Sequence, residues 1–122
     1  MLRLVREDRL EGIFSNNLGV LSHEAGEYGD AKEHFGRALR LLQEVGDQRY
    51  EAITRGNLGM LHHELREMDA ARAAHGASAV GLSRTPDVHS QALAQARLAA
   101  VLAELDLLAA ALTIVVTDGP DE

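Results

Sequence analysis

The chain repeats itself at an interval of 40 residues, and this period constrains its fold more than any other feature. Asn17-Leu18-Gly19 recurs as Asn57-Leu58-Gly59, and ten of the thirty positions from 17 to 46 hold the same residue one period later. A third, more divergent copy follows. Such a period is typical of units built from two helices, each burying its apolar side against its neighbours. We therefore expect a single domain with a partial repeat over 1–8, repeats over 9–47 and 48–87, a degenerate repeat over 88–117 and a tail over 118–122.

Apolar residues recur at helical spacing within each unit, so each repeat is predicted to be a pair of helices. Gly26 and Gly46 follow two of these apolar patterns and suit the ends of helices. A run of β-branched residues after Leu112 predicts that the last helix is short or frayed. The predicted class is all-α, with five to six helices over about 10–25, 29–45, 49–66, 68–83, 88–105 and from 107 onward.

The residues at fixed offsets resemble those of the tetratricopeptide repeat: Leu18-Gly19, Gly26, Tyr28, Ala31, Phe35 and Ala38. The 40-residue period is similar to the longer variant found in kinesin light chains and many bacterial regulators. This resemblance implies antiparallel helical hairpins stacked as a right-handed superhelix. It also implies close helix crossings at three pairs of small residues, namely Gly19 with Ala31, Gly59 with Ala71, and Ala99 with Ala111. His75 and Ser78 depart from the pattern and predict looser packing in the second repeat.

In the family that the chain resembles, the first helix of each pair lines a concave groove. The resemblance places Asn17, Asn57 and Arg97 at one equivalent position of that groove. The two amides could hydrogen-bond a peptide backbone, and Arg97 could bind a carboxylate. The alternative is that the asparagines brace neighbouring helices. A further set is expected to shape specificity, namely His23, His63, Val20 and Met60.

The family's clamp for a C-terminal carboxylate is not expected to be complete. Asn16 and Val20 stand where the clamp needs a basic residue and an asparagine, and Leu93 does not fit the clamp either. Only Asn57 and Arg97 fit it.

His23 and His63 each precede a glutamate by one helical turn, a spacing that can hold a metal ion with two ligands. Because the pattern recurs in both repeats, it favours a packing or surface role over a metal site. The chain has no glycine-rich phosphate loop, no nucleophile elbow and no cysteine. We predict that it is not an enzyme and binds neither a metal nor another cofactor.

The net charge of −7 argues against nucleic acid as a partner. The longest apolar stretch, 107–116, is about half of the roughly 20 residues that span a bilayer, so no membrane association is expected. The lack of cysteines is consistent with the cytoplasm, and the use of arginine over lysine suggests a bacterial source.

The sequence therefore predicts a module that binds a protein or peptide in its groove. One alternative is a homodimer formed through apolar ends, which include Leu2, Leu4, Val5, Leu107, Leu108, Leu112, Ile114 and Val115. Another is a regulatory segment of a larger bacterial transcriptional or signalling protein.

Overall fold

The computed structural model describes residues 2–84 and 88–117, with side chains for 6–84 and 88–109. All of its elements in these ranges are helices, which confirms the predicted all-α class. The predicted tail over 118–122 lies outside them. The helices are α1 (Leu2–Glu24), α2 (Tyr28–Val45), α3 (Gln48–Glu64), α4 (Met68–Leu82) and α5 (Val88–Thr117).

Helices that follow one another in the chain pack against one another. α1 with α2, and α3 with α4, form two antiparallel hairpins, while α2 packs on α3 and α4 packs on α5. Smaller contacts join α1 to α3 and α3 to α5. The result is a linear stack in which each hairpin is buried by its neighbours.

A residue in the left-handed conformation follows each of the first three helices: Gly26 after α1, Gly46 after α2 and Arg66 after α3. Gly26 and Gly46 have φ angles of 79° and 73°, which glycine adopts without steric cost. Arg66 holds the place of Gly26 in the second repeat with φ of 63°, at a cost of about 1 kcal/mol for a residue with a Cβ. Asp47 then starts α3, because its carboxylate accepts a hydrogen bond from the Tyr50 backbone N–H at 3.0 Å.

In each hairpin a glycine of the first helix packs against an aromatic ring of the second. A Cβ on Gly19 would lie 2.5 Å from two ring carbons of Phe35, and one on Gly59 would lie 2.8 Å from the ring of His75. Both rings are fully buried. The two alanines that the resemblance placed at these crossings, Ala31 and Ala71, are also fully buried.

Both residues that depart from the repeat pattern lie inside the second hairpin. Ser78 is buried and donates a hydrogen bond from Oγ to the carbonyl oxygen of Ala52 at 2.7 Å. His75 is buried with no hydrogen-bond partner for either ring nitrogen. The buried hydroxyl of Ser78 thus has a hydrogen-bond partner, whereas the buried ring nitrogens of His75 have none.

The third hairpin that we expected is not formed. Instead of ending near residue 105, α5 continues to Thr117, because residues 88–117 contain neither glycine nor proline and Asp106 stands where Gly26 turns the first repeat. Ala99 and Ala111 therefore lie on one helix, about 18 Å apart along its axis, and cannot face each other within one chain. Ala99 is exposed.

The start of the first repeat also differs from the prediction. α1 begins at Leu2 rather than near Leu10, so the partial repeat over 1–8 is part of the same helix. Leu21, an apolar residue of α1, is 61% exposed. Its counterpart Leu61 is fully buried against the first hairpin, and no hairpin lies on the corresponding side of α1 in the described residues.

Candidate functional site

Six of the seven residues predicted for the groove line three depressions, which are formed by α1, α3 and α5 with parts of α2 and α4. The first, of about 370 Å³, is lined by Val20, His23, Asn57 and Met60 together with parts of α2. The second, of about 350 Å³, shares Met60 and adds His63. The third, of about 170 Å³, shares Asn57 and adds Arg97. We call these three depressions, which share lining residues, the groove. Asn17 is exposed and lines none of them.

The two predicted histidines each reach the glutamate of the next repeat rather than the glutamate one turn away. His23 donates from Nε2 to Glu64, and His63 donates from Nε2 to Oε1 of Glu104 at 2.6 Å. The hydroxyl of Tyr28 also donates to Glu64, at 3.2 Å. These bonds form a ladder across the stacked hairpins, along one wall of the groove.

The ladder keeps its carboxylates ionised. The hydrogen bond from His23, and then that from Tyr28, lowers the pKa of Glu64, while the same bond raises the pKa of Tyr28. The hydrogen bond from His63 lowers the pKa of Glu104. A carboxylate that already accepts such bonds is a weaker attractor for a further cation.

The two predicted asparagines have different surroundings. Asn57 is half-buried and donates from Nδ2 to Oδ1 of Asn16 at 3.0 Å, so its NH₂ group braces the two repeats. This supports the bracing alternative for Asn57, although the residue also lines the first and third depressions of the groove. Asn17, one repeat earlier, is exposed.

Arg97 has no acidic partner in the described part of the chain. It is half-buried in the third depression, next to Ser78 and Asn57, and burial lowers the pKa of its guanidinium group. A Cβ on Gly56 would lie 3.2 Å from Nη1 of Arg97, so the guanidinium packs close to the α3 backbone. A half-buried cation without a counter-ion favours a ligand that carries negative charge.

The sequence reasoning missed three residues of this site, namely Tyr28, Asn16 and Glu104. A signal for the last was present, because glutamate recurs at 24, 64 and 104 with the 40-residue period. The pairing was missed because it joins a histidine to the following repeat. Within the ranges that have described side chains, no group of three or more metal-ligating side chains is close enough to hold an ion.

A larger open depression, of about 610 Å³, lies elsewhere, between α3 and α4. It contains none of the predicted residues. Its Arg55 is already ion-paired with Glu51 at 3.1 Å. Size alone therefore does not make it the better candidate.

The comparisons with known proteins bear on the whole repeat rather than on the groove. The family model of the tetratricopeptide repeat matches residues 11–79, which is more than half of the 122 residues. No curated protein and no solved structure matches the chain. None of the helices in the described residues is long and apolar enough to cross a membrane.

Proposed function

The chain belongs to the tetratricopeptide-repeat family, whose repeats mediate protein–protein interactions, and from this premise we propose that its groove binds a peptide segment or a helix of a partner protein. The role we propose is binding without catalysis. The family assignment alone does not choose the surface, because function depends on residues outside the repeat pattern.

The observation that carries the proposal is the unpaired guanidinium of Arg97 at one end of a partly apolar groove. From Arg97 the groove continues past Asn57 to Met60, which is 41% exposed, and to the half-buried Val20. An exposed methionine suits a surface that adapts to an apolar side chain. The ligand that fits is a segment with an acidic group at one end and apolar side chains beyond it.

The ladder of histidines and glutamates supports a ligand whose acidic end lies at Arg97. Glu64 and Glu104 already accept hydrogen bonds from histidines and from Tyr28 or Arg66, so their charges are partly neutralised. Among the basic residues that line the groove, Arg97 is the one without an acidic partner, within the residues whose side chains are described. We expect the acidic group of the ligand, rather than a basic one, to fix its position.

We expect a random peptide library displayed on phage to yield acidic-apolar sequences when it is selected on the purified chain. Arg97→Ala should then weaken the binding of a selected peptide by about ten- to a hundredfold, because it removes a charge-assisted hydrogen bond. The measurement is fluorescence anisotropy with the labelled peptide. The matched control is Arg84→Ala, since Arg84 is exposed and lies in none of the three depressions.

A second variant separates the groove from the single charge. Met60→Glu should weaken the same peptide without changing the helical circular dichroism, because Met60 is exposed in the free protein. Peptides that bind both variants as tightly as the original chain would mean that the groove is not the binding surface.

A further inference from the structure

The outer side of α1 carries a stripe of large apolar residues that no other part of the described chain covers. Leu10, Phe14 and Leu21 are 56%, 62% and 61% exposed. With Asn17 they follow one another at intervals of four, three and four residues, which places all four on one side of a helix. We call these four residues the outer face of α1.

The equivalent positions of α3 and α5, one and two repeats later, are buried where neighbouring helices of the stack pack together. In α3 they include Thr54 and Leu61, and in α5 they include Ala94 and Val101, all of which are buried. Leu61 packs there against α2, in the cluster that contains Phe35. The outer face of α1 is therefore the surface on which a hairpin would otherwise pack, and it is left bare.

A preceding hairpin of the same kind does not fit this face. Phe14 occupies the position of Thr54 and Ala94, which are completely enclosed at the inner junctions, and a closely packed slot for threonine or alanine has no room for a phenyl ring. α1 also continues as a helix back to Leu2, whereas α3 starts only after the turn at Gly46. A preceding hairpin that was joined to α1 through a turn like the one at Gly46 would require α1 to begin later in the chain, at the position equivalent to the start of α3.

We propose that a second copy of this chain covers the outer face, through antiparallel pairing of the two α1 helices. The spacing of the stripe reads the same in both directions, so a two-fold axis between positions 15 and 16 places Leu10 of one copy against Leu21 of the other. The same axis places Phe14 beside Asn17. Ser15 and Asn16 are buried on the opposite side of α1 and do not interfere.

The pairing is independent of the proposed groove function, since it needs neither Arg97 nor Met60. It buries the three exposed apolar side chains of each copy at once, which is the arrangement that a self-complementary apolar patch favours. It also places Asn17 beside Phe14 of the second copy, whereas Asn17 lines none of the depressions of the groove.

Light scattering over about a hundredfold dilution is expected to give the mass of a dimer for the purified chain. Phe14→Glu should raise the dissociation constant of the dimer by at least about thirtyfold, because it places a charge at the centre of the interface. The matched control is Val80→Glu, since Val80 is 56% exposed on α4, far from the stripe. Circular dichroism checks that both variants remain folded, and Leu10→Glu provides a second variant of the face.

Two results would overturn the proposal. One is a chain that remains a monomer at every concentration. The other is a dimer that Leu108→Glu disrupts and Phe14→Glu does not, because Leu108 lies at the other end of the stack, on α5.

Because the chain has no cysteine, single cysteines report the geometry directly. An equimolar mixture of Leu10→Cys and Leu21→Cys chains is expected to form mainly mixed disulfides, since the antiparallel pairing brings these two positions together. Predominant disulfides between two Leu10→Cys chains would show a parallel arrangement and contradict the two-fold axis proposed here.

Discussion

Replacing His75 by phenylalanine is expected to raise the free energy of unfolding by about 2 kcal/mol at pH 7. His75 is fully buried, and neither of its ring nitrogens has a hydrogen-bond partner, a situation that costs about 1–3 kcal/mol. The first repeat shows that a phenyl ring fits, because Phe35 packs on Gly19 as His75 packs on Gly59. Chemical denaturation followed by circular dichroism measures the change.

The same substitution should remove most of an acid sensitivity. Burial, followed by the charge of Arg97 and the neighbouring His63 and His62, lowers the pKa of His75 from 6.5 to about 4. Between these two pH values the unfolded chain binds a proton that the folded chain does not, so stability falls as the pH is lowered. The loss is about 1.4 kcal/mol per pH unit and reaches about 3 kcal/mol near pH 4. Above pH 6.5 this contribution is absent.

The control for both effects is His89→Phe, because His89 is exposed. Glu64, Glu67 and Glu104, whose hydrogen bonds with histidines lower their pKa, also lose stabilising charge as the pH falls, but they do so equally in all the variants. If His75→Phe leaves the slope of stability against pH unchanged between pH 6.5 and 4, the buried histidine is not the source of the acid sensitivity.

Replacing Gly19 by alanine is expected to destabilise the fold by about 2 kcal/mol, although alanine is the better helix former. The added Cβ would lie 2.5 Å from two carbons of the Phe35 ring, and that ring is fully enclosed. One of the two helices must therefore move, which costs about 1–3 kcal/mol in a packed core. Thermal or chemical unfolding gives the difference directly.

Gly36→Ala is the matched control for this change. Gly36 also lies inside a helix, but a Cβ there would meet only the flexible end of Arg40, at 3.8 Å. We expect this variant to be more stable by up to about 1 kcal/mol, which is the helix preference of alanine over glycine. Equal effects of the two substitutions would contradict a close helix crossing at Gly19.

Much of the fold was predictable from the sequence because each repeat contains its own helical pattern of apolar residues and its own turn signals. The apolar spacing predicted α2, α3 and α4 to within a few residues, and the glycines at 26 and 46 marked turns where the structure has left-handed residues. The two ends were not predicted correctly, since the turn signals that divide the inner helices are missing near Arg6 and Asp106 and both outer helices run on.

The candidate site was less accessible to sequence reasoning. His23 and His63 were singled out, but their partners lie 41 residues away on the next repeat rather than one turn away. Local spacing describes neighbours on one helix and says nothing about which glutamate a stacked hairpin brings close. The exposure of Leu21 and the burial of Leu61 illustrate the same limit, because the two positions are equivalent in the repeat.

The sequence by itself determined the repeat, the helical class and the family, because periodic burial and turn chemistry act over a few residues at a time. Only the tertiary structure decided that Arg97 is half-buried without an acidic partner among the described residues and that His75 is enclosed without a hydrogen bond. It also decided which apolar residues remain bare. These properties depend on what the neighbouring repeat places against each side chain, and that contact is formed only when the hairpins stack.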